Sequence, residues 1–234
     1  MRTAHVQLVH DSTVVSFADA RRVVRALRTQ VRRDFAPVFG VQADVELVRR
    51  GEQDRRAWQI AIVDDEGSAE EQGWHELTAA GLPLGKVLAR RALAESGGWT
   101  TTASHELLEM LADPTMALAV VVWSDRGSRL YAYEVCDPVQ DDRFAYAIEG
   151  VAVSNFVYPE WFEPFRRRGE VDFDHRGACS GPLHVLPGGY ASVTHTQWQR
   201  GWRDLGPSRG KPGASRGSRK LRRRRTTTWR ASKP

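Results

Sequence analysis

The stretch that decides the reading is Thr100-Thr101-Thr102-Ala103-Ser104-His105-Glu106-Leu107-Leu108-Glu109-Met110-Leu111-Ala112-Asp113-Pro114. It carries the start, the face and the stop of one helix. The Thr/Ser run supplies N-cap candidates, Thr102 and Ser104 among them, whose side-chain oxygens accept from free backbone N–H groups. Glu106 and Glu109 suit the positive end of the helix dipole. Leu107, Leu108, Met110 and Leu111 provide the apolar surface. Pro114 blocks the next turn and biases Asp113 away from helical geometry. An acid at a helix C-terminus is unfavourable by ~0.3–1 kcal/mol, so Asp113 calls for a metal, an Arg or a backbone N–H group as partner.

Positions four apart on a helix differ by only ~40° around the axis, so His105 and Glu109 project from one side, one turn apart. Glu106 is turned by ~100° from His105. This is the layout of the H-E-x-x-H zinc motif, with Glu109 in place of the second His. An imidazole and a carboxylate at that spacing can hold one Zn²⁺. Glu106, beside them but not ligating, can take a proton from a water on the metal. A third protein ligand is needed. Glu134 is the first choice, because it ends a strand that can lie alongside the helix. Asp113 is the second, although it lies two turns from His105, ~12 Å along the axis.

Working outward, 234 residues suffice for one large domain without disulfides. Two cysteines, Cys136 and Cys179, argue against a disulfide scaffold and offer no zinc-knuckle spacing. No leader-like or ~20-residue apolar run is present, so a cytoplasmic protein with no membrane partner is expected. The net charge of +5 belongs to the C-terminus: residues 205–234 hold 11 of the 34 Lys/Arg and no Asp/Glu. The remaining 23 basic residues face 29 acidic ones, so residues 1–204 are mildly acidic. This gives one domain over 1–204 and a basic tail over 205–234. The tail is rich in Gly, Ser, Pro and Arg and is expected to be disordered. Its charge allows non-specific nucleic-acid contact.

Along the chain, His5–Val9 reads as a strand. Ser16 precedes a helix reaching about Phe35, with Val23, Val24, Leu27, Val31 and Phe35 on one face. Val41–Arg49 alternates as a half-buried strand and Trp58–Val63 as a more buried one. The acidic loop after Asp64 lacks EF-hand spacing. Trp74-His75-Glu76 leads into the Gly/Pro-punctuated 81–85 segment and a strand over Lys86–Ala89, with Pro83 favouring an edge position. Gly85-Lys86 resembles the end of a phosphate-binding loop, but the upstream Gly and the following Ser/Thr are missing. Leu130–Pro138 reads as a strand bearing Glu134 and Asp137 near its end. Residues 144–154 form a hairpin turning at Glu149-Gly150. His175 and His184 have no partner at metal spacing.

The order of strand, long helix, strands and a His-Glu helix resembles the zincin metallopeptidases. That likeness implies an α+β fold, in which a mixed sheet packs on a first long helix and on an active-site helix. More closely, the chain resembles an uncharacterised family of bacterial and phage proteins. The shared strings are Gly81-Leu82-Pro83, Ser104 to Pro114, Glu134-Val135-Cys136-Asp137-Pro138, Val153-Ser154-Asn155-Phe156, Pro159-Glu160-Trp161-Phe162 and Pro187-Gly188-Gly189-Tyr190. The resemblance covers about residues 5–195. It implies a Zn²⁺ peptidase acting on a polypeptide, with Glu106 as general base and His105 and Glu109 as ligands. Glu134 falls where thermolysin-like zincins take a third ligand, and Asp113 where aspartate-type zincins do. A binding or structural protein on the same fold, without catalysis, is the alternative.

Overall fold

The computed structural model describes residues 2–65, 72–95, 98–123, 127–195 and 201–206. The basic segment 207–234 therefore lies outside the described residues. Chain order is β1 (Arg2–Asp11), α1 (Phe17–Gln30), α2 (Ala36–Phe39), β2 (Val41–Arg49), β3 (Trp58–Val63), β4 (Gly73–Leu77) and β5 (Pro83–Leu88). Then come α3 (Ala89–Glu95), α4 (Trp99–Ala112), β6 (Ala119–Val122), β7 (Arg129–Ala132), β8 (Tyr146–Ile148), β9 (Val151–Val153), β10 (Ala191–His195) and β11 (Arg203–Leu205). Leu205 thus closes a strand, so the expected boundary between 204 and 205 falls inside β11.

The architecture is mixed α/β. A five-stranded sheet has the order β2-β1-β3-β5-β4. Its first four strands are parallel and β4 is an antiparallel edge. A second, antiparallel sheet runs β11-β10-β7-β6, and β8-β9 is a separate hairpin. Glu149 and Gly150 both have positive φ there, which fits a tight two-residue turn. Register places Val6, Leu8, Val45, Ile60, Ile62, Gly85 and Val87 on one face of the larger sheet. The apolar residues of that face join Val23 and Leu27 of α1 and Leu107, Leu108 and Leu111 of α4 in one buried core.

The first helix starts as its sequence predicts. Ser16 caps it by accepting from the Asp19 N–H at 3.0 Å. It widens into a π turn over Val31–Phe35, continues as α2, and stops at Gly40 with φ +69°. Asp64 secures the turn before it. Its carboxylate accepts from the Ser12 hydroxyl and from the backbone and hydroxyl of Thr13. The Ser12 bond, then those of Thr13, hold its pKa down at about 2. A depressed acid pKa adds stability above the unfolded value and loses it as pH falls through the folded one. Asp64→Asn is expected to cost about 1–3 kcal/mol at neutral pH. The variant should also flatten the decline in Tm between about pH 4 and pH 2. An acid limb identical to that of the parent chain would refute this role.

Three sequence expectations need correction. Helix α4 begins at Trp99 behind Gly98, with no side-chain cap. The Thr102 and Ser104 hydroxyls are inside the helix and serve tertiary contacts instead. Ser104 donates to Gln30 Oε1 at 2.7 Å and accepts from the Ser154 N–H at 3.0 Å. Second, the edge is β4, and Pro83 merely opens the interior strand β5, where a first residue needs no ladder N–H. Third, β7 ends at Ala132, and the chain bends through Glu134 into a short 3₁₀ turn over Asp137–Val139.

Candidate metal centre

Helix α4 is buried on nearly every side, so its polar groups cannot turn to water and must meet other polar groups. Two glycines set how close it lies to the sheet. A Cβ on Gly73 would stand 2.6 Å from Thr102 Cγ2 and 2.7 Å from the Lys86 carbonyl oxygen. One on Gly85 would stand 3.2 Å from Met110 Sδ and 3.4 Å from Glu106 Cβ. Thr102, Glu106 and Met110 therefore form the stripe that rests on β4 and β5. His75 pairs directly with Gly85 and shares the face of Gly73, so it meets this stripe. Its Nδ1 lies 2.8 Å from Glu106 Oε2 in a buried hydrogen bond.

The neighbouring stripe, His105 and Glu109, faces the later half of the chain. His105 Nε2 lies 3.2 Å from Glu109 Oε2 and 3.3 Å from Asp137 Oδ1. The Cys136 N–H donates to Glu109 Oε1 at 3.2 Å, fixing the 3₁₀ turn against the helix. Residues 186–190 clamp that turn from behind. Leu186 and Tyr190 donate backbone N–H groups to the carbonyls of Pro138 and Asp137 at 2.9 and 3.1 Å. A Cβ on Gly189 would stand 2.6 Å from the Pro138 carbonyl carbon and 2.9 Å from Asp137 O, so only glycine permits the approach.

Six ionisable groups thus meet in the interior: His75, His105, Glu106, Glu109, Glu134 and Asp137, all buried. Glu134 Oε2 lies 3.9 Å from His75 Nε2. Glu109 Oε2 also lies 3.6 Å from His75 Nδ1. Among the described residues two donor sets lie within 4.8 Å of one another: His105, Glu109 and Cys136, and His75, Glu106 and Glu109.

His105 is the informative member. It is 0% exposed, and neither ring nitrogen makes a hydrogen bond. Asp137 Oδ1 is likewise buried without one. The imidazole and carboxylates approach in contact without forming N–H···O geometry. Donors around a tetrahedral ion at 2.0–2.2 Å are separated by about 3.3–3.6 Å, close to the two contacts of His105 Nε2, although Asp137 belongs to neither of the two mutually close donor sets. The residues present therefore fit a divalent cation. Protons are the competing occupants. Burial opposes charge on His105, but Glu109 and Asp137 outweigh it and raise its pKa well above the ordinary value. Burial, then the Glu109 charge, push both Asp137 and the Cys136 thiol well upward. A cation and these protons would exclude one another.

The structure brings four of the five residues singled out from sequence into this cluster: His105, Glu106, Glu109 and Glu134. Asp113 stands apart. Its carboxylate accepts from the Leu118 and Ala117 N–H groups at 2.8 and 3.1 Å and from the Thr115 hydroxyl at 3.2 Å. The expected partner is thus backbone. Glu134 sits beside His75, and Asp137 takes the place at His105 that Glu134 was expected to fill. His175 stacks on Phe156, and His184 Nδ1 accepts from the Ser180 N–H. Neither belongs to the cluster.

No protein-family model, curated protein or solved structure matches the chain.

Proposed function

We propose that this chain is a zincin-like, divalent-metal-dependent hydrolase that acts on a polypeptide, with His105, Glu109 and Asp137 as the metal-binding residues. The observation that carries this reading is His105 Nε2, buried and without a hydrogen bond, flanked by Glu109 and Asp137 at 3.2 and 3.3 Å. The mixed sheet, the long first helix and the motif helix packed on one face support the zincin likeness. Zn²⁺ fits an imidazole with two carboxylates, and the carboxylates equally suit Mn²⁺ or Fe²⁺. When bound, such an ion supplies a Lewis acid that polarises a carbonyl and makes water more acidic.

The chain's own residues do the remainder. Glu106 lies on the stripe next to the ligands, and its hydrogen bond to His75 fixes the carboxylate. It accepts a proton from water at that carboxylate and returns it to the leaving amine. Glu134 lies 3.9 Å from the far nitrogen of His75, close enough to favour its protonated form but not to hydrogen-bond it.

A second reading has its own support. All six groups are buried, so substrate would need the core to open, whereas a metal that only holds the fold would not. In that case the protein is a binding or structural member of the same fold.

Elemental analysis of the purified full chain tests the shared premise. One divalent ion per chain is expected in the parent protein and none in His105→Ala. A metal-free parent protein that remains metal-free after incubation with Zn²⁺ or Mn²⁺ would overturn both readings.

A further inference from the structure

We propose that Cys136 is a fourth protein ligand of this centre, so that the resting site is closed. The inference rests on the metal reading above. Its basis is placement. Cys136 Sγ lies within 4.8 Å of donor atoms of both His105 and Glu109, and the residue is completely buried. Its backbone N–H is fixed on Glu109 Oε1, and Asp137, the next residue, reaches the same His105 nitrogen. The fully buried His105 ring, in contact with Glu109 and Asp137 but without a hydrogen bond to either, is the second observation at this place.

Glu106 shares a hydrogen bond with His75 through Oε2 and belongs to the other donor set, His75, Glu106 and Glu109, not to the one that holds Cys136. Sulfur, the His105 imidazole and the Glu109 carboxylate lie within 4.8 Å of one another, and Asp137, 3.3 Å from the same His105 nitrogen, would complete the four donors zinc takes in structural sites. Loading breaks the Cys136 S–H bond heterolytically. The electron pair stays on sulfur and forms the metal–sulfur bond, and the proton leaves to the buffer. No oxidation state changes.

A catalytic zinc keeps one position for water. Here that position becomes available only when the thiolate leaves. Hydrolysis and the buried structural site are then two states of one centre, separated by the position of Cys136.

The test is to titrate Co²⁺ into the full-length chain and record its near-ultraviolet spectrum. One equivalent with a thiolate-to-cobalt charge-transfer band is expected. The chain has only two cysteines, and Cys179 lies outside the cluster. Cys179→Ser should therefore keep the band, and Cys136→Ser should abolish it while still binding one Co²⁺. Should Cys136→Ser fail to fold, a band that persists in Cys179→Ser assigns the sulfur alone. One bound Co²⁺ without the band, or a band lost in Cys179→Ser, overturns the proposal while leaving the metal reading standing. If no Co²⁺ binds, the metal reading falls with it.

Discussion

Glu106→Gln is expected to lower hydrolysis of an unfolded polypeptide by about 10²–10⁴-fold, the range a positioned general base contributes. Metal content should not change. Gln is nearly the same shape as Glu and can still hydrogen-bond to His75. It cannot accept the proton. The structure gives the variant a clear geometric meaning, because Glu106 rests over Gly85 and points to the sheet, while His105 and Glu109 point to the turn at Asp137. Loss of metal in the variant would place Glu106 among the ligands and end its assignment as base. Parent-like hydrolysis with metal retained would end it too, from the other direction.

Gly189→Ala is expected to have the largest effect on stability. The glycine's neighbours here are backbone atoms of Asp137 and Pro138, which cannot swing aside as a side chain can. Forcing a methyl group into such a contact costs typically 1–3 kcal/mol, and the upper end, about 3 kcal/mol, applies. The displacement falls on Asp137, so metal uptake should weaken along with stability. Urea unfolding with metal analysis reads both. A variant as stable as the parent and equally loaded would mean that residues 186–190 do not hold the turn in place.

Much of the scaffold was legible in the sequence, because it follows local rules. Alternation marked β2, and the apolar period of Val23, Leu27 and Val31 marked the first helix. Glu149-Gly150 marked the hairpin turn. His105, Glu106 and Glu109 were legible because one helix supplies their spacing. Where the helix started was not. Thr102 and Ser104 look like caps, and only the fold reveals Gln30 and Ser154 waiting for the Ser104 hydroxyl. His75 was missed for a similar reason. It is a lone His 30 residues before the motif, and its role depends on the register of β4 against β5. The available signal was Gly73-x-His75 followed by Gly85, small residues that let a helix come close. Asp137 is legible as an acid near the end of the strand, but a continuous strand would put Glu134 nearer. The chain leaves β7 at Ala132, and Pro138 sits in the turn that brings Asp137 round.

The donors come from α4 and from a turn about 30 residues later, itself held by a segment some 50 residues beyond. No short fragment contains the set. An ion held there therefore belongs to the fully assembled molecule and to no early folding species. Interactions absent from the folding transition state slow unfolding and leave the folding rate nearly unchanged. With every donor buried, ion exchange also waits on a breathing motion of the core, and its rate is set by local opening. A chelator added to the folded protein would then remove metal on the timescale of that opening, independent of chelator concentration. The affinity of the centre would be visible only to experiments that wait long enough.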